Sequence, residues 1–316
     1  MKTFPTLLRR EWLEGRFTYL AATFGLVFIV CLFGILATLV ATLSEGGAVV
    51  VIERMDDAGN SQRHEQISDN VAMMADFTSW TNRELEGRLT TMRMTVSSVF
   101  HAVYFLVIVF VLLGSVFDQR RDRSVLFWKS MPVSDPATIL SKLIVPVWLV
   151  SILVVAAITL TWLFLLTLFS AITIASDLGS VTRLWAHSGI LNGIASELVG
   201  YTIQGLWSLP IFAWLILVST TVSRLPLVWT VLIPLIPAIG ERIVFGSNVI
   251  SGFVTRHLEF AALPRLLENA ERQTSTVRNL GDQLSLLLST ELWLGVFVGS
   301  VLLAVAIYCY RRNNEL

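Results

Sequence analysis

The chain has 316 residues, 54% of them hydrophobic and only 15% charged, with a mean hydropathy of +0.71. A soluble domain carries about 25% charged and 45–50% apolar residues, so this composition excludes a soluble globular protein, and the apolar content excludes intrinsic disorder. Lys+Arg and Asp+Glu both number 23, which excludes a basic nucleic-acid binder on bulk charge.

At the N-terminus, Phe4, Leu7, Leu8 and Trp12 fall within an arc of about 140° at 100° per residue. Arg9, Arg10, Glu14 and Arg16 lie outside that arc, whereas Glu11 falls inside it. The pattern predicts an amphipathic helix over 3–17, lying at a membrane surface in contact with lipid.

A membrane span needs about 20 largely apolar residues. Stretches free of Asp, Glu, Lys and Arg place six spans near 19–43, 96–117, 138–169, 203–222, 225–241 and 291–310. The first is too long for the core of a signal peptide and five more follow, so it is read as a span. The fifth is short and carries Pro226, Pro234 and Pro237. Only Ser223-Arg224-Leu225 separates it from the fourth, which predicts a tight helical hairpin. The expected fold is an all-α polytopic membrane protein.

Between the first two spans, residues 44–95 form a large external segment. Gly47-Ala-Val-Val-Val-Ile-Glu53 is β-like, Asp56-Asp57-Ala58-Gly59-Asn60 reads as a turn, and 69–95 reads as helical. Five of the seven methionines fall here: Met55, Met73, Met74, Met92 and Met94. Thioethers suit Cu(I), but no cysteine or clustered histidine joins them, and a small packed cap is the reading adopted. Residues 170–200 form a second external connection. Residues 246–290 form a third, amphipathic one, with Phe253, Leu258, Phe260, Leu263, Leu266 and Leu267 among Arg256, Glu259, Arg265 and Glu268.

Loop charge orients the spans, because Lys and Arg accumulate on the cytoplasmic side. Residues 1–18, 118–142, 223–226 and 311–316 hold 12 basic and 6 acidic residues; the remainder holds 11 basic and 17 acidic. Both termini and the 118–137 loop are therefore expected in the cytoplasm. In that loop, Val125-Leu126-Phe127-Trp128 is an apolar block flanked by Arg120, Arg121, Asp122, Arg123 and Lys129. Apolar surface rimmed by charge marks a docking site, and Trp with Arg is common hot-spot composition. Asp135-Pro136 reads as an N-cap followed by proline at the first helical position, which starts the third helix before its apolar run.

No G-x-x-x-x-G-K-[ST], H-E-x-x-H or C-x-x-C motif is present, so the chain has no P-loop of its own. Cys31 and Cys309 lie in apolar runs and read as small buried hydrophobes. His64, His101, His187 and His257 are scattered, and only His101 falls in a span, near its outer end. Deep intramembrane carboxylates, which ion-driven carriers use, are not found. Glu241-Arg242, at the end of the fifth run, and His101 are the candidate gate or path residues; no catalytic or metal-binding set is found.

The stretch Arg123-Ser-Val-Leu-Phe-Trp-Lys-Ser-Met-Pro-Val-Ser-Asp135 resembles the loop between the second and third spans of bacterial type-2 ABC exporter permeases. Leu206-Trp207-Ser208-Leu209-Pro210 and Glu241-Arg242-Ile243-Val244-Phe245-Gly246 are similar to members of that family, as is the six-span layout. The resemblance implies an inner-membrane permease that pairs with a second permease and two separate ABC ATPase subunits, with ATP and Mg held by those partners. It also implies that Arg120–Lys129 is the coupling element seated in the ATPase. An ion-coupled carrier and a membrane enzyme or scaffold subunit are the alternatives.

Overall fold

The structure is a computed structural model that describes residues 3–43, 49–55, 61–67, 80–124, 133–175, 180–259 and 280–312. Its regular elements are helices apart from one antiparallel hairpin. Strand β1 (Val49–Met55) pairs with β2 (Ser61–Ile67) from Val49 opposite Ile67 to Met55 opposite Ser61. The run Val49-Val50-Val51-Ile52 favours extended backbone because β-branched side chains are stiff at χ1.

Among the described residues, five helices are long and apolar enough to cross a membrane: Phe4–Ala37, Asn82–Arg121, Asp135–Ile174, Pro226–Phe245 and Thr290–Arg312. The pair Val181–Trp207 and Leu209–Thr221, bent by 56°, is a broken span or a re-entrant loop, and makes six candidate spans if it counts as one. The chain is a multi-pass membrane protein.

Some boundaries differ from the sequence reading and one agrees with it. The N-terminal amphipathic segment is not a separate helix: α1 runs unbroken over Thr3–Leu43, since no proline interrupts it after Pro5. Helix α2 (Asn82–Arg121) begins well before its apolar run, in line with the helical reading of 69–95, at a reciprocal capping box. The Thr81 N–H and hydroxyl each donate to Glu84 at 2.8 Å, and the Glu84 N–H donates back to the Thr81 hydroxyl at 3.3 Å. The third span is capped by Ser134 rather than Asp135, which shifts Pro136 to the second helical position. It comprises α3 (Asp135–Ile144), a π-helical turn (Val145–Leu149) and α4 (Val150–Ala175). Pro146 has no N–H for a regular helical ladder, and the wider turn accommodates it.

The predicted fourth span is broken. Helix α5 (Val181–Ala186) and α6 (Ile190–Trp207) lead to Ser208, after which α7 (Leu209–Thr221) sets off with proline in its first turn. The hairpin to α8 (Pro226–Phe245) is as the sequence predicts. Leu225 turns it with φ 51°, and the Trp214 indole donates to the Thr230 carbonyl at 3.1 Å. Glu241 and Arg242 do not end α8, which continues to Phe245 and closes at Gly246 with φ 65°. A short helix α9 (Val249–Leu258), then α10 (Leu280–Ser285) and α11 (Thr290–Arg312), complete the order.

The contacts divide the chain into two compact units. One comprises Met1–Gly25, Met94–Ile158 and Ile190–Leu316; the other comprises Leu26–Arg93 and Thr159–Gly189. In the first, α11 lies along α7. Gly295 and Gly299 sit one turn apart on its buried face, and a Cβ on Gly299 would stand 3.0 Å from the Leu209 carbonyl carbon and 3.1 Å from the Pro210 nitrogen. Small residues let two membrane helices approach this closely, where dispersion rather than water exclusion holds them. Helix α8 buries no residue.

In the second unit, Trp162, Leu166, Leu85, Leu89 and Leu184 are buried. Arg183 ties its elements together, donating to Asn82 Oδ1 at 2.8 Å and to the Trp80 carbonyl. The Trp185 indole donates to the Ser170 hydroxyl at 2.9 Å.

Candidate functional site

One end of the larger unit brings together the N-terminal helix, the two stems of the 118–142 segment and the end of α7. Lys142 on α3 places Nζ 3.2 Å from both carboxylate oxygens of Glu11 on α1. Its side chain is 1% exposed and that of Glu11 11%. This explains why Glu11 interrupts the apolar arc of Phe4, Leu7, Leu8 and Trp12: it faces inward because a lysine meets it there. Leu7 is buried, while Phe4, Leu8 and Trp12 are half-buried on the same face. With its amide oriented to accept, Gln119 of α2 takes a hydrogen bond from Lys142 Nζ at 2.8 Å and one from Arg10 at 3.2 Å. Arg10 also holds Glu14 at 2.8 Å.

Arg120 donates to the Thr220 carbonyl at 2.8 Å and to the Val222 carbonyl at 3.4 Å, at the end of α7. It is therefore an anchor rather than a free surface group. Arg121, Asp122 and Arg123 are exposed, and Arg123 turns the chain out of α2 with φ 57°. The remaining predicted coupling residues, Val125, Leu126, Phe127, Trp128 and Lys129, lie outside the described residues.

A second constellation is buried in the middle of the unit. His101 on α2, 3% exposed, donates from Nε2 to Glu197 Oε2 on α6 at 2.9 Å. The other carboxylate oxygen of Glu197 accepts from the Ser97 hydroxyl at 2.7 Å. The Tyr201 ring meets the His101 ring and the Tyr104 ring edge-on, each at 5.0 Å. The Tyr104 hydroxyl lies 2.7 Å from the Val147 carbonyl, in the π-helical turn, and donates to it. The Tyr201 hydroxyl is buried without a protein partner. A carboxylate removed from water is costly unless hydrogen bonds replace the lost hydration, and two donors from α2 do this for Glu197.

His101 was a sequence candidate; Glu197 was not. The apolar-run count stopped at Glu197 and assigned it to the 170–200 connection, whereas the structure buries it within α6. A signal was present in the spacing. Ser97, His101 and Tyr104 recur at i, i+4 and i+7, and so do Glu197, Tyr201 and Gln204. Each set is one polar stripe on an otherwise apolar helix.

Glu241, the other acidic candidate, caps a helix. Its carboxylate accepts from the Ser247 hydroxyl, from the Val249 N–H at 2.6 Å and from the Ile250 N–H at 2.8 Å, at the start of α9. Helix N-termini leave amides unpaired, and a carboxylate there satisfies them and complements the dipole. Arg242 is exposed. The other end of α9 is held by the break after α6. The Trp207 indole donates to the Arg256 carbonyl at 2.7 Å, the Ser208 hydroxyl to the His257 carbonyl at 3.0 Å, and the Gln204 amide to the Glu259 carbonyl at 3.1 Å. Both secondary stretches of the family resemblance, Leu206–Pro210 and Glu241–Gly246, therefore hold the two ends of one short helix.

Among the described residues no group of three or more His, Cys, Asp or Glu could hold a metal ion. Met73 and Met74 of the methionine-rich segment, and Phe260 through Glu268 of the amphipathic one, lie outside the described residues. Comparison with protein-family models, with curated proteins and with solved structures finds no match.

Proposed function

We propose that this chain is the permease subunit of an ATP-driven exporter of the bacterial type-2 ABC class. In this reading it pairs with a second permease and with two ATPase subunits that bind the 118–137 loop from the cytoplasm of a bacterial inner membrane. The observation that carries the reading is how the two stems of that loop are anchored. Gln119 and Arg120 precede it and Lys142 follows it. Together they engage Glu11 and Arg10 of the N-terminal helix and the carbonyls that end α7. A displacement of the loop is thus passed to α1, α2, α3 and α7 together. The apolar block Val125–Trp128 supplies the docking surface, and the ATPases supply ATP and Mg, since the sequence carries no P-loop.

The test is reconstitution of the full chain with candidate ABC ATPase subunits. Wild type is expected to retain them and to stimulate ATP hydrolysis. The double substitution Phe127→Asp, Trp128→Asp is expected to lose both; a double variant that keeps both rules out the coupling role.

One observation favours a second reading. The buried His101–Glu197 pair is the kind of intramembrane titratable couple that ion-driven carriers use. Transport that survives ATP depletion and collapses with a protonophore would select that carrier over the exporter.

A further inference from the structure

The ring of His257 sits at the junction of three elements. It belongs to α9, stacks on Trp207 of α6 (5.5 Å, 22°) and lies 4.2 Å from the ring of Phe253. Its third side faces α11, where a Cβ on Gly295 would overlap the Nε2 edge; the same Cβ would stand 3.5 Å from Pro210. The residue is fully buried.

The two ring nitrogens have different surroundings. Nδ1 lies 2.9 Å from the Phe253 carbonyl, an acceptor only, so Nδ1 carries the proton. Nε2 is buried with no hydrogen-bond partner. A neutral imidazole with its proton on Nδ1 presents a bare lone pair there, which tolerates the apolar flank of Gly295. A second proton on Nε2 would place a charge and a donor against a Cα with nothing to accept them, and an unpaired buried charge is not tolerated.

The neighbouring charges do not relieve this. On α9, Arg256 pairs with Glu291 at 3.0 Å, and Glu259 is exposed. From α6 and α7 the contacts are Gln204, Trp207, Ser208 and Pro210, none of which titrates. From α11 the carboxylate one turn before Gly295 is Glu291, already engaged by Arg256. From α8, Glu241 is committed to the opposite end of α9.

We propose that His257 is an acid-sensitive latch. Its neutral form seats α9 on the α6–α7 break and on α11, and protonation releases it. The release frees three side chains at the bend of the fourth span, Gln204, Trp207 and Ser208, from the carbonyls they now hold. The device is independent of the transport reading and holds for either an exporter or a carrier.

The sign follows from which form the seat accepts. A seat that takes only the neutral imidazole weakens as the pH falls.

The experiment is hydrogen–deuterium exchange of the full-length protein in lipid nanodiscs at pH 7.5 and 5.0, corrected for intrinsic exchange and followed by mass spectrometry. Amides of 252–259 are expected to lose most of their protection at the lower pH, while those of 296–306 in α11 keep theirs. His257→Phe retains the ring and removes the proton, so its protection is expected to be the same at both pH values. Glu291→Gln is expected to keep the acid-dependent loss. Equal protection of wild type at the two pH values overturns the latch. So does a His257→Phe chain that loses protection as wild type does, or a Glu291→Gln chain that no longer loses it. Where His257→Phe does not fold, wild type and Glu291→Gln still decide by the same criteria.

Discussion

Lys142 Nζ stands 3.2 Å from each carboxylate oxygen of Glu11, a residue 131 positions earlier in the chain. The pair is nearly dry, and removing one partner leaves the other charge buried and unmatched. Lys142→Ala is therefore expected to cost about 3–5 kcal/mol. Replacing both with apolar side chains of similar volume, Glu11→Leu with Lys142→Met, is expected to restore most of that. Reversible unfolding in mixed micelles measures both. A double variant as unstable as the single one would show that the pair is not the source of the loss.

His101 and Glu197 make the analogous connection between α2 and α6. Interhelical polar contacts in membranes contribute about 1–2 kcal/mol at most. A double-mutant cycle over His101→Ala and Glu197→Ala is expected to give a coupling in that range, and a coupling near zero would contradict the contact. Glu197→Gln keeps the shape and an acceptor for one donor, and is expected to be milder than Glu197→Ala.

A Cβ on Gly299 would meet Leu209 Cγ at 2.8 Å and the backbone of Leu209 and Pro210 at 3.0 and 3.1 Å. Gly299→Val has to push α11 away from Leu209 and Pro210. Overpacking of this kind costs about 1–3 kcal/mol, read as a lower unfolding midpoint. Gly281, which a Cβ would leave in open space, is the control site, and Gly281→Ala is expected to change little.

Glu241→Gln weakens the cap of α9 by removing the charge that faces Val249 and Ile250. The effect is local: exchange of amides 249–253 is expected to speed up while the global unfolding midpoint stays near wild type. A fall in the midpoint without faster local exchange would place Glu241 in the body of the fold instead.

The Asn82–Arg121 and Pro226–Phe245 helices show where sequence reading works and where it stops. Their apolar centres were legible because a bilayer imposes one requirement, about 20 apolar residues with every backbone group bonded internally. Their ends were not. Thr81–Glu84 is a capping box readable in the sequence, yet the apolar-run rule passes over it because it looks for greasy residues. The last turn of α8 carries Glu241 and Arg242, and the same rule stops before them.

Glu197 illustrates a different limit. A carboxylate in a sequence window reads as an edge, since only a partner elsewhere in the chain makes its burial tolerable. That partner, His101, lies 96 residues away.

Composition and charge alone determine that the chain is a multi-pass membrane protein, because bilayer insertion depends on local hydropathy summed along the chain. They also group the N-terminus, the 118–142 segment, the 223–226 turn and the tail by charge. Tertiary structure alone decides that Glu11 faces Lys142, that Glu197 is an interior residue, that the helix breaks at Ser208, and that His257 is buried against Trp207 and Gly295. Each of these is a polar residue kept out of water by contacts distant in sequence, and no local pattern specifies which contact comes to meet it.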